Sequence, residues 1–346
     1  MTEKNLNLTE QNANAGKHSV ESTTSHFSAK DQLKTNPVEF LANHIVWVLL
    51  ILGIIIMGTI NTAFFSTSIL QNILIQTAVL GVLTAGIAHV LIVGEIDLSV
   101  TGVLAFSAGL GTYLMNQGLP WFLAILFIIA FGILIGFING ILIAKLKAAA
   151  LIETLAMGLV LQGALMALTQ GRSIVNFPAE FTWIGSGKIF GIPTLPIPFL
   201  LTYIVIYFVW KNTVFGRSLF ATGGNITSAH VSGINVDRMM IYAFVISGGL
   251  SAFSGYLLAA YMGAVTMTFG SDLLMYTLAA AVIGGVSLKG GRGNISGVLG
   301  GVLLLTVIQV GLQILGISSY FVTMVGGFMI LIAVMIDALK TKHLGY

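Results

Sequence analysis

Long apolar stretches alternate with short polar ones along most of this chain. Up to Pro37 the pattern differs: Asn, Thr, Ser, Gln, Lys and Glu dominate and no apolar run forms. Such a segment buries too little apolar surface to offset its ordering entropy, so residues 1–40 are expected to be a disordered tail. It does not read as a signal peptide, because no apolar run follows directly on a short basic start. Beyond it, ten stretches approach the about 20 apolar residues a helix needs to cross a bilayer core. They lie near 42–63, 73–93, 98–116, 121–144, 148–168, 193–210, 239–261, 271–288, 296–316 and 320–337. Only a tight turn at 94–97 separates the second from the third, which leaves nine helices as the alternative count. The pattern predicts an all-α polytopic membrane protein with about ten transmembrane helices. Its membrane domain would span 41–340, with a polar loop at 211–238 and a short tail over 341–346.

Charge turns the helix count into an orientation. With the N-terminus in the cytoplasm and every span changing side, thirteen of the fifteen Lys and Arg fall inside. Only Arg172 and Lys188 fall outside. That is the positive-inside bias, and a wrong count would scramble it, so both termini are expected in the cytoplasm. Composition agrees: 8% of the 346 residues are charged, against roughly 25% in a soluble domain. The absence of cysteine excludes disulfides and thiolate chemistry. A net charge of +3 gives no sign of a nucleic-acid partner.

Among 41 glycines, Gly132, Gly136 and Gly140 recur every fourth residue in one span, and Gly293, Gly297 and Gly301 lead into another. Small residues at this spacing let helix backbones approach closely. Packing is the plain reading and helix sliding the alternative.

Catalytic patterns fail when tested. Gly185-Ser186-Gly187-Lys188 has Thr182 where a phosphate-binding loop needs its first glycine, and Ile189 follows the lysine. Gly291-Arg292-Gly293 has Ser296 in place of the last glycine of a dinucleotide fingerprint. His89 is the one histidine deep within a span, and a lone histidine is more often a packing residue than a ligand. No enzyme activity and no cofactor are expected in this chain. If transport is driven by ATP, the ATP is bound by another subunit.

The polar segment 211–238 reads Phe215-Gly216-Arg217-Ser218-Leu219-Phe220-Ala221-Thr222-Gly223-Gly224-Asn225, then Ala229, then Ser232-Gly233-Ile234-Asn235-Val236. A short helix over 226–231 with Asn225 as its N-cap is plausible for such a pattern. An ordinary solvated loop is the alternative. This segment and three other blocks resemble the permease subunits of bacterial ABC importers for ribose and other monosaccharides. The others are Gly94-Glu95-Ile96-Asp97-Leu98-Ser99-Val100, Thr154-Leu155-Ala156-Met157, and 279–293 with its Gly284-Gly285-Val286-Ser287-Leu288-Lys289-Gly290-Gly291-Arg292-Gly293. The resemblance covers about 45–340. It implies an inner-membrane permease that pairs with a second copy or a paralogue, two cytosolic ATPase domains and a periplasmic sugar-binding protein. It also implies that Phe215, Gly216, Arg217, Gly223, Asn225, Ala229, Gly233 and Ile234 belong to the segment that receives the ATPase stroke. The chain departs from the family pattern at Glu95, Thr101, Glu153 and Leu274, which weakens any assignment to ribose in particular.

Several polar residues are candidates for a pathway or gate. Asp97 fits an N-cap of the third span, where negative charge is favoured; contact with the ATPase or a gate is the alternative. Glu153 either snorkels to the interface and pairs with Lys145 or Lys147, or lines the inner vestibule beside Thr154. Asn72, Gln162 and Gln309, with Gln76, Asn139 and Gln313, either bond between helices or meet a hydroxyl-rich solute. The alternative to an ABC permease is a ten-helix secondary transporter of a small polar metabolite driven by an ion gradient. Such a carrier needs ionisable residues inside the membrane, and only Glu153 and Asp272 offer themselves, both near span ends.

Overall fold

The structure, a computed structural model, describes residues 37–343. The expected disordered tail therefore lies outside the described residues up to 36, and the first helix already begins at Pro37. The helices are α1 (Pro37–Ile60), α2 (Thr67–Ile92), α3 (Val100–Asn116), α4 (Trp121–Ala144), α5 (Ala150–Thr169), α6 (Ala179–Ser186), α7 (Pro196–Asn212), α8 (Val214–Gly224), α9 (Ile226–Val231), α10 (Val236–Met262), α11 (Leu273–Ile283), α12 (Ile295–Ile314) and α13 (Ser319–His343). A helix occupies each of the ten apolar stretches. Helices are the solution because lipid cannot satisfy backbone N–H and C=O groups. Among the described residues five are long and apolar enough alone to cross a membrane: α2, α4, α5, α10 and α12. Together α7 and α8 make a sixth, bent by 75°.

The bundle is built around α10, which packs most extensively on α4 and then on α2, α3 and α6. The α4–α10 contact explains the glycine repeat. A methyl on Gly132 or Gly136 would overlap the carbonyl of Gly248 or Phe244, and one on Gly140 would stand 2.9 Å from the Ile241 Cα. Gly297 and Gly301 do the same for α12 against the backbone of Gly284 and Ala280 in α11. The packing reading of both repeats is the one the structure displays. At the other extreme, only 17% of the apolar window of α5 is buried, against 83% for α2.

Two expectations need correction, and one feature was not expected. The polar loop at 211–238 is largely helical: Thr213 accepts a hydrogen bond from the Gly216 amide and starts α8. Glycines at 216, 223 and 224 lower helix propensity and hide it in the sequence. Between α5 and α7 lie α6 and a two-stranded hairpin, β1 (Lys188–Ile189) and β2 (Ile192–Pro193), which apolar patterning did not anticipate. The hairpin is fixed by Gln71, which donates to the Gly191 carbonyl at 2.8 Å and accepts from Lys188 at 3.2 Å. Finally, α13 runs to His343, into the expected C-terminal tail.

Replacing Gly136 by valine should force α4 from α10, costing about 1–3 kcal/mol by overpacking. Gly327→Ala, whose methyl meets nothing within 4 Å, should be neutral or stabilising by up to about 1 kcal/mol. Thermal unfolding of the detergent-purified protein measures both.

Candidate functional site

Between α2 and α3 the chain leaves helical geometry for seven residues, 93–99. Irregular backbone inside a membrane bundle survives only where protein satisfies it. Thr154 does much of this: its hydroxyl accepts from the Leu98 amide at 3.0 Å and donates to Ala150 O at 2.7 Å, with Ile96 O at 3.3 Å. The segment places Asp97 in the interior with 1% of its surface exposed. One carboxylate oxygen accepts from the Ser99 amide at 2.9 Å and the Ser99 hydroxyl at 2.6 Å; the other accepts from Ser247 of α10 at 2.9 Å. Asn139 of α4 donates to the Ser99 hydroxyl at 2.9 Å. Asp97 is not the N-cap of α3: Ser99 holds that position, and Asp97 accepts from the Ser99 amide from two residues upstream. Burial excludes direct contact between Asp97 and a cytosolic partner.

Glu153 does not pair with Lys145 or Lys147. Both lysines reach Asp237 instead, at 3.1 Å each, because the α4 terminus stands over the first turn of α10. Glu153 belongs to the first turn of α5, one residue before Thr154. Its Oε2 and the Oδ1 of Asn139 are buried with no hydrogen-bond partner. Each such atom carries a desolvation penalty.

Beside this cluster is a cavity of about 250 Å³ lined by Leu98, Thr101, Gly102, Gln162, Thr268 and Ser271, among others. It lies between α3, α5 and the segment before α11. Its amide and hydroxyls can both donate and accept. Thr101 and Leu274, two of the positions where the chain departs from the family pattern, line it.

On the other side of Gly223, Asn225 accepts from the Ser228 amide at 2.9 Å and caps α9. One face of α9 is seated: Ala229 is buried with Ala144, Val236 and Met240, and Ile234 packs against them. Gly233, at φ +81°, turns the chain toward α10. The other face is bare, with Ile226 51% and Val231 84% exposed. Phe215 packs on the core and on the Tyr242 ring, Gly216 is buried against Trp210, and Arg217 is exposed.

The structure thus gathers Asp97, Glu153, Thr154 and Gln162 at one place. It does not bring Asn72 or Gln309 there. Asn72 accepts from Gln76 at 3.2 Å near the start of α2, and Gln309 faces a narrow cleft between α12 and α13. Ser99, Ser247, Thr101, Thr268 and Ser271 were not legible as site residues, since isolated hydroxyls in apolar helices carry no spacing signal. His89 is a packing residue: its Nε2 accepts from the Trp210 indole at 3.0 Å, which leaves the proton on Nδ1 facing Ala85 O at 2.8 Å.

A multi-pass helical membrane protein with a small polar cavity beside a buried carboxylate is the class these observations define. The chain belongs to the family described as the permease component of branched-chain amino acid transport systems, which it matches over residues 69–334. It is 36% identical over 311 residues to the ribose import permease protein RbsC of Haemophilus influenzae, covering 88% of this chain and 96% of that one. It is 31% identical over 330 residues to the galactose/methyl galactoside import permease protein MglC of the same organism, covering 90% and 96%. Its identity to the L-arabinose ABC transporter permease protein AraH of Azospirillum brasilense is 32% over 280 residues, covering 81% and 83%. No solved structure matches the chain. The resemblance to sugar-import permeases drawn from four sequence blocks is borne out.

Ser247→Ala should cost about 1.5–3 kcal/mol, since it removes a donor from a buried carboxylate. Asn139→Leu should cost less, because it also removes a buried acceptor that has no partner. The difference in their melting temperatures reads out this ranking, and the reverse order would contradict the hydrogen-bond assignment.

Proposed function

We propose that this chain is the inner-membrane permease subunit of an ABC importer that carries a monosaccharide into the cytoplasm. The observation that carries this reading is the cavity at Gln162, where one amide and three hydroxyls stand among apolar side chains, in a chain similar over most of its length to permeases named for ribose, galactose and arabinose. The cavity is smaller than the roughly 300–1,000 Å³ of drug-sized sites, and its donors and acceptors suit a small hydroxylated solute. Ten helices cross the bilayer in this reading and both termini face the cytoplasm, as the basic residues require.

Energy comes from a separate cytosolic ATPase, and solute from a periplasmic binding protein. The segment from Phe215 to Ile234 meets the ATPase, with α9 as the helix that docks. Its bare apolar residues, Ile226 and Val231, would be the contact, and Ala229 with Ile234 the anchor to the bundle. A second copy or a paralogue covers the exposed face of α5. That helix is the least buried of the five long apolar ones, with 17% of its apolar window buried. Asp97 and Thr154 hold the wall of the pathway from inside, while Asn72 and Gln309 serve packing.

Val231→Asp should lower the amount of ATPase that copurifies by about ten-fold or more, with the melting temperature unchanged because the side chain touches little. Undiminished copurification would remove α9 as the docking helix. Gln162→Leu should lower sugar uptake while ATPase binding stays intact. Glu153→Gln tests the vestibule separately: normal uptake at normal expression would return Glu153 to a structural role.

A further inference from the structure

Three chain segments meet below Asp97 through backbone alone. They are Gly94 after α2, Gly223 in the last turn of α8, and Gly290–Gly291 between α11 and α12. The Gly291 amide donates to the Ile92 carbonyl at 2.8 Å. A methyl on Gly290 would stand 2.8 Å from both N and Cα of Gly94 and 2.9 Å from the Gly223 oxygen. One on Gly223 would overlap the Ile92 carbonyl oxygen. Gly94, Gly290 and Gly291 also have φ of +87°, +85° and +72°, a region glycine occupies without steric cost.

The segments lead to opposite ends of the proposed machinery. Gly223 is two residues before Asn225, the cap of α9. Gly94 is three residues before Asp97, and Leu98 already lines the cavity. Side chains can absorb a displacement by changing rotamer. Backbone packed on backbone has no rotamer to change, so a shift at the end of α8 presses on Gly94 through Gly290. The competing route runs from α9 through Ala229 into the start of α10. It consists of side-chain contacts to Val236 and Met240 at the start of α10.

We propose that this glycine joint transmits the position of α9 to the Asp97 segment, with Gly94, Gly223 and Gly290 as positioning residues for transport. The proposal rests on the reading of α9 as the ATPase-docking helix and supplies the route from it to the cavity.

The assembled complex of permease, ATPase and binding protein in proteoliposomes tests it. Radiolabelled D-ribose, D-galactose or L-arabinose is the probe, whichever the wild-type complex imports. Three quantities are read in each preparation: bound ATPase, ATP hydrolysed and sugar imported. Gly94→Ala lies outside the docking segment, with its methyl 3.4 Å from the Lys289 carbonyl, and should keep ATPase binding and hydrolysis while sugar imported per ATP falls about ten-fold or more. Gly327→Ala should keep the wild-type ratio. Should Gly94→Ala fail to assemble, Gly290→Ala, also outside the docking segment, carries the same expectation. A wild-type ratio in either assembled joint variant overturns the joint and leaves α9 docking standing. A wild-type chain that binds no ATPase overturns the docking reading and the joint with it.

Discussion

The carboxylate of Asp97 sits where neither lipid nor bulk water can solvate it. A buried carboxylate carries a desolvation cost unless it is hydrogen-bonded. The surrounding structure is arranged to offset that cost. The break between α2 and α3 carries the carboxylate inward, Ser99 and Ser247 donate to its two oxygens, and Asn139 orients the Ser99 hydroxyl. Through these four residues the chain break, α3, α4 and α10 are tied at one point. Thr154 ties α5 to the same segment through its backbone. The cavity wall is therefore a consequence of how one charge is buried.

A second constraint comes from lipid, which gives helices no hydrophobic reason to associate. Close approach has to supply the attraction, and glycine permits it where α4 crosses α10 and α12 crosses α11. The same device recurs at Gly94, Gly223 and Gly290, but there it joins loops and a helix end rather than two helices. A contact without side chains is stiff, which suits a place where movement is passed on.

The helical course was legible because apolar runs of membrane length are strong signals, and because Lys and Arg segregate between their ends. The cap of α9 was legible too: Asn225 before a short run between glycines is a local pattern. What escaped was non-local or weak. Helix α8 was hidden by its own glycines, and α6 with the 188–193 hairpin by its brevity. Lys145 and Lys147 stand near Glu153 in sequence, yet the fold brings them Asp237, 90 or more residues away. Asp97 could be read as a cap, but its second partner, Ser247, is 150 residues distant. Gln162 was one of several amides alike in sequence, and only the packing of α3 against α5 separates it from Asn72 and Gln309.

The central claim is that an external ATPase drives this permease. Uptake of labelled monosaccharide into proteoliposomes tests it most directly. The permease is reconstituted alone and with its ATPase and binding protein, with ATP supplied on the ATPase side or with a proton or sodium gradient imposed. Uptake that needs ATP, the ATPase and the binding protein together is the predicted result. Uptake by the permease alone, driven by an ion gradient, would contradict the account.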